Sequence, residues 1–297
     1  MSYRPSATVV RRIALLSLLC LAVPGCKVSE LSLNDITSER IGMVTSSVQA
    51  VSKAARPLSE DEEYYVGRAV AARLTATYPL YRNARLTEYL NMIGQSLALH
   101  TEKPTTFGGY HFALLDSPEI NAFACPGGTI LITRGMLASV KSEDELAAVL
   151  AHEIAHIIHR DGIGAIQSSR WSEAALLIGS NAAKEFGSRD TAKLVSLFEG
   201  SIDDVVKTLV VSGYGRTQEK DADTAALGYL AAAGYNPQGL VGYLNRLEQA
   251  GHGSKGGILA THPGTEERME NVRQVTVPAV DTSAQPKRTK RFAELNR

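Results

Sequence analysis

His152-Glu153-Ile154-Ala155-His156 constrains this chain more than any other stretch. It lies in a run whose apolar residues recur at helical spacing. Two histidines four apart on a helix sit about 40° apart around the axis and one turn up, so both imidazoles can reach a single ion. Zinc takes imidazole readily, and a catalytic zinc uses three protein ligands and leaves a fourth position for water. Glu153, next to the first histidine, is placed to take a proton from that water and pass it to a leaving amine. Ser142 reads as the N-cap of this helix. Glu145, three residues on, completes a capping box, and Glu143 and Asp144 favour the positive end of the helix dipole.

The N-terminus reads as a targeting segment. Arg4, Arg11 and Arg12 precede an apolar run from Ile13 to Val23, interrupted only by Ser17, which is too short to span a bilayer and suits the core of a signal peptide. It ends at Val23-Pro24-Gly25-Cys26, which resembles a bacterial lipobox with Cys26 as the lipidated residue, the alternative being plain secretion. Lys27 after that cysteine, by resemblance to Gram-negative lipoproteins, permits sorting to the outer membrane. Removing residues 1–25 takes three arginines and no acid, which leaves 28 cations against 31 acids, a net charge of −3. No basic stripe suggests a nucleic-acid partner. Of Cys20, Cys26 and Cys125, only Cys125 would remain as a free thiol, so no intramolecular disulfide can form in the mature chain.

Residues 26–57 read as a lipid-anchored tether. Helices are expected at about 60–78 and 84–100. Strands follow at 110–115, 121–125 and 129–133, the last two joined by Pro126-Gly127-Gly128, with Pro then Gly suiting the middle of a type II turn. Residues 163–212 are helical in pattern and could pack, act as a lid or face a membrane. Further helices are expected at 216–233, 238–249 and 265–274. The polar tail, 277–297, with its Lys287-Arg288-Thr289-Lys290-Arg291 run, reads as disordered.

Two histidines need a third partner. A metzincin pattern would require Gly and then His at three-residue steps after His156, but those positions hold His159 and Gly162. His159 is too far along a straight helix to share the ion and reads as an outer or surface residue. Glu219 is the better candidate. Asp223, one turn on, can fix the tautomer of a ligand histidine through its outer N–H.

Taken together, Asn121-Ala122-Phe123-Ala124…Pro126-Gly127-Gly128, His152-Glu153…His156, Glu219…Ala222-Asp223 and Thr261-His262-Pro263 with Arg268 resemble metallopeptidase family 48, over about residues 60–275. That family holds the gluzincins that include the HtpX heat-shock protease and the CaaX prenyl endopeptidase, and the likeness is to its small periplasmic lipoprotein members. The resemblance implies an α+β, mainly helical, zincin-like fold, with a small sheet or hairpin beside the ligand helix and a peptidase domain over 58–276. It implies one zinc ion on His152, His156 and Glu219, with Glu153 as the base. The chain departs from the family in carrying Arg160-Asp161 where Arg-His is common.

The expected activity is that of a zinc endopeptidase on the periplasmic face of the envelope, acting on unfolded or misassembled envelope proteins. A zinc-containing chaperone or binding lipoprotein is the alternative. The strand Asn121-Ala122-Phe123-Ala124 could pair with an extended substrate or be purely structural. His262 could donate to the oxyanion, with Arg268 a second candidate. It could instead ligate the metal and hold the site shut, or merely cap the last helix. Cys125 is expected to serve packing rather than to gate activity.

Overall fold

The computed structural model describes residues 57–166, 199–251, 257–263 and 265–295. The signal segment, Cys26, the tether and most of the 163–212 insert lie outside the described residues. In chain order the elements are α1 (Glu60–Thr77), α2 (Ala84–Ala98), β1 (His111–Leu115), β2 (Ala122–Cys125), β3 (Thr129–Thr133), α3 (Arg134–Ser139), α4 (Glu143–His159) and α5 (Asp161–Gly164). They continue as α6 (Glu199–Lys207), α7 (Arg216–Ala232), α8 (Gln238–Gly251), α9 (Ile258–Thr261), α10 (Thr265–Gln274) and α11 (Gln285–Leu295). Among the described residues the fold is mainly helical with one three-stranded sheet, as the family resemblance implied.

The sheet runs in the order β1-β3-β2. β1 pairs parallel to β3, and β2 pairs antiparallel to β3 with Ala122 opposite Ile132 and Cys125 opposite Thr129. The hairpin turns at Gly127, whose φ of 75° and ψ of 3° match the third position of a type II turn. Helix α1 lies against this turn. A Cβ at Gly67 would come within 1.7 Å of the Pro126 carbonyl oxygen, so only glycine allows that approach.

Period-two alternation splits the sheet between two cores. Ala122, Ala124, Ile130 and Ile132 join the larger one, with α2, α4, α7 and α8. Leu115, Phe123, Cys125 and Leu131 join the other, with α1 and α6. Helix α4 runs between sheet and helices, and every residue from Glu143 to Ile157 is buried. Its alanines and leucines are strong helix formers, and an all-round buried helix is a core helix.

The expected disorder of the tail does not hold. Residues 285–295 form α11, with Arg288 and Phe292 buried against the body of the protein. The expectation rested on the tail's low hydrophobicity, but its arginines meet acidic partners far away in sequence. The short helices α3 and α9 carry no periodicity long enough to read.

Candidate metal centre and active site

Ser142 caps α4 as expected, accepting from the backbone N–H of Glu145. The returning arm differs: the Glu145 carboxylate accepts from the backbone N–H of Lys141 at 2.7 Å and pairs with Arg246. The helix ends at Arg160 in the left-handed conformation, φ 62°. Asparagine or glycine is usual there.

His152 and His156 point to one spot, with their Nε2 atoms 3.0 Å apart. Helix α7 brings Glu219 opposite, its carboxylate oxygens 3.4 Å from His152 Nε2 and 3.5 Å from His156 Nε2. His262, just after α9, places Nδ1 2.9 Å from Glu219 Oε1 and 3.3 Å from His152 Nε2. All four residues are buried. A tetrahedral zinc with bonds near 2.0–2.1 Å has ligand–ligand edges of roughly 3.3–3.4 Å. The five spacings cluster about that value, so the donor set fits such an ion. Three ring nitrogens converging on a carboxylate also exceed what hydrogen bonds alone satisfy, whereas a cation satisfies all of them.

A carboxylate lies against the outer nitrogen of each α4 histidine. Asp223 Oδ1 lies 3.0 Å from His152 Nδ1, close enough for the carboxylate to face the outer nitrogen of that ring. Asp161 Oδ2 lies 2.7 Å from His156 Nδ1, and Gln218 donates to its other oxygen at 2.8 Å. The sequence reading missed Asp161 and treated Arg160-Asp161 only as a departure from pattern. The left-handed turn at Arg160 folds Asp161 back onto His156. Tyr214, also missed, stacks on His156 with ring centroids 4.1 Å apart. His159 is exposed and takes no part.

Arg268 on α10 ties the acids together. Its Nε and Nη2 donate to the two oxygens of Asp223, each at 2.7 Å, and Nη1 lies 2.8 Å from Glu219 Oε2. Burial would raise the Glu219 carboxyl, but the charges of His262 and Arg268 outweigh it and hold the group far below the usual carboxylate range. Asp223 is held down at about 2, burial again being outweighed by Arg268. His152 is pushed up to about 9. Burial and Arg268 oppose this, but hydrogen bonds to Asp223 and Glu219 prevail.

Glu153 is buried, and its Oε2 has no hydrogen-bond partner among the described residues. Its Oε1 lies 3.8 Å from His262 Nε2. A pocket opens beside it, lined by Val149, Leu240, Tyr243, Leu247 and Ile258 together with His152, Glu153, His262 and Arg268. These are the parts of a metal-assisted hydrolase: a ligand set, a carboxylate with one oxygen free and an adjoining apolar pocket.

A match to the model of peptidase family M48 covers residues 82–276 and includes every one of these groups. The chain belongs to peptidase family M48. Membership makes it a metallopeptidase by class. The M48 chain is 27% identical to the beta-barrel assembly-enhancing protease of Escherichia coli (strain K12) over 224 residues, which is 75% of this chain and 45% of that one. It is 31% identical to the putative beta-barrel assembly-enhancing protease of Vibrio cholerae over 268 residues, 87% of this chain and 51% of that one. A protease HtpX homolog of Salinibacter ruber is 29% identical over 189 residues, 54% of this chain and 66% of that one. The M48 chain thus spans about half the length of the first two relatives.

Asn121 through Ala124 lie at the edge of the sheet but are buried, at 0–3% exposure. The approach to that edge is occupied by α9: Ile258 N–H donates to the Ile120 carbonyl at 2.9 Å, and the Thr261 carbonyl accepts from Tyr214 N–H at 3.0 Å. Cys125 is fully buried. Burial, then the neighbouring Glu153 charge, raises its thiol well above the usual range. The thiol is therefore expected to resist alkylation in the native protein and to react only on unfolding, and Cys125→Ala is expected to leave turnover within about two-fold of wild type. Rapid native labelling with a maleimide, or a changed oxidant sensitivity in that variant, would make Cys125 a gating residue instead.

Proposed function

We propose that this M48 protein is a zinc-dependent endopeptidase of the bacterial cell envelope that hydrolyses peptide bonds in unfolded or misassembled envelope proteins. The observation that carries the reading is the buried set His152, His156 and Glu219 at tetrahedral spacing, with the Glu153 carboxylate beside it, one of its oxygens without a hydrogen-bond partner among the described residues. A zinc ion held there would polarise the scissile carbonyl and acidify the attacking water. Glu153 takes the water's proton and returns it to the departing amine. Asp223 and Asp161 keep both histidines presenting Nε2 to the ion, and Arg268 keeps Glu219 and Asp223 ionised. The name of the Escherichia coli relative, beta-barrel assembly-enhancing protease, supports an envelope substrate. Purified protein should carry about one zinc per chain and digest denatured casein, and a chelator should stop it. Zinc-loaded protein that binds unfolded casein without cutting it would favour the chaperone reading.

We read His262 as a latch. Its Nδ1 sits on the ligand cluster, where it would fill the fourth position, and α9 carries it while also bonding to Ile120 beside the substrate edge. One displacement of α9 would then free the fourth position and uncover the strand Asn121-Ala122-Phe123-Ala124. If the open state is a tenth of the population, His262→Ala raises basal casein cleavage roughly ten-fold with zinc retained. A fall in kcat with zinc retained would make His262 an oxyanion donor instead.

Lipidation at Cys26 completes the proposal and puts the protein on the periplasmic face, at the outer membrane. No described helix is long and apolar enough to cross a membrane. Cys26→Ser is expected to move the processed protein from the membrane to the soluble fraction. Continued tight membrane retention would mean a second anchor.

A further inference from the structure

The family match stops at residue 276, yet α11 beyond it reaches the start of the catalytic helix. The first turn of α4 holds Glu143 and Asp144, both buried. Buried carboxylates need cationic or hydrogen-bonding partners. Arg291 supplies one, with Nε donating to Glu143 Oε2 at 2.7 Å and Nη2 pairing with Oε1. Arg288 supplies another, with Nε 3.2 Å from Asp144 Oδ1.

Each guanidinium also lies over a tyrosine: Arg288 is 5.0 Å from the Tyr235 ring centroid and Arg291 is 5.9 Å from that of Tyr89. Both tyrosines donate their hydroxyls to Glu143, at 3.3 and 2.7 Å. Phe292 enters the larger core beside them, with Leu295 packed at its margin. The receiving surface is thus a built socket. It has two acid–tyrosine receptors for guanidinium and an apolar hole for one ring, matched to the sequence Arg288-Thr289-Lys290-Arg291-Phe292. His152 follows Glu143 by nine residues on the same continuous helix, about 13 Å along the axis.

We propose that residues 285–295 are a strap: Arg288, Arg291 and Phe292 dock on the first turn of the catalytic helix and hold its histidines in register for the metal. Without the strap, Glu143 loses its cation and Asp144 its guanidinium, and the first turns of α4 open to water. Loosening there spreads along the helix to His152. The strap stands whether or not the site cuts peptides; only the zinc readout rests on the metal reading above.

The test uses the full chain. Arg288→Gln/Arg291→Gln is compared with Lys287→Gln/Lys290→Gln, which removes two charges from exposed positions on the same helix. Amide hydrogen exchange is followed over residues 143–150. Zinc affinity is measured by competition with a chromogenic chelator, at a temperature where all variants are folded. The arginine pair is expected to speed exchange in that stretch at least ten-fold and to weaken zinc binding several-fold, whereas the lysine pair changes neither. Arg288→Lys/Arg291→Lys should recover part of both effects. Exchange unaltered by loss of the arginines overturns the strap. Faster exchange with wild-type zinc affinity overturns its coupling to the site. Should the double glutamine variant fail to fold, Arg291→Lys alone carries the same comparison, because it keeps the charge and loses the two-pronged grip.

Discussion

Glu153→Gln is expected to keep the metal and lose turnover by about 10²–10⁴-fold, the span typical of removing a general base. Metal content should be unchanged, because Glu153 is not one of the four converging donors. The fold should not suffer either. A buried carboxylate with one oxygen unpartnered is costly, and the neutral amide of the same shape removes that cost, so the melting temperature is expected to hold or rise. A stable, zinc-loaded, inactive variant would identify a group kept for chemistry at the expense of stability. If kcat stayed within a few-fold of wild type, the base would have to lie elsewhere, and the proposed mechanism would fail with it.

The parts of the site legible in the sequence are those set by helical periodicity. His152 and His156, and Glu219 and Asp223, each share a helix face because four residues make just over one turn. Asp161 escaped because its role depends on the single left-handed residue Arg160, and arginine gives no turn signal where glycine or asparagine would. Tyr214 escaped because it precedes α7 and belongs to no periodic pattern, although its ring covers His156.

The tail was misread for a related reason. Arg288 and Phe292 lie four apart, as do Arg291 and Leu295, so α11 has a contact face. That face is built largely from arginine, which composition scores as solvent-seeking. Its acidic partners stand at 143 and 144, well over a hundred residues earlier. Local pattern shows which residues share a face. It does not show which distant charge that face will meet.

Arg268 is where such a distant charge matters most, and its removal carries the largest expected effect on stability. The guanidinium is buried and bonds both oxygens of Asp223 and one of Glu219, whose side chains are 1% and 0% exposed. Arg268→Met keeps the bulk and takes the guanidinium from two buried carboxylates, of which Glu219 keeps His262 beside it at 2.9 Å. Breaking a buried pair from one side costs about 3–5 kcal/mol. For a chain of this size, roughly 2–4 °C per kcal/mol puts the fall in melting temperature near 10 °C. The loss should depend on pH in a defined direction. Asp223 is held at about 2, below its ordinary value of 3.8, so its ionised form adds stability above that ordinary value and the gain disappears as pH falls toward 2. Arg268 is the chief source of that depression once burial is overcome. The gap between wild type and Arg268→Met should therefore be widest near pH 7 and narrow below about pH 4. Thermal melts of metal-free protein at pH 7 and pH 3.5 measure it. Arg268→Lys should lie between the two, because an ammonium keeps the charge but cannot grip both oxygens of Asp223 and still reach Glu219. An Arg268→Met protein that melts within about 2 °C of wild type at pH 7 would show that the carboxylates find other partners. The histidines would then owe their orientation to something other than this arginine.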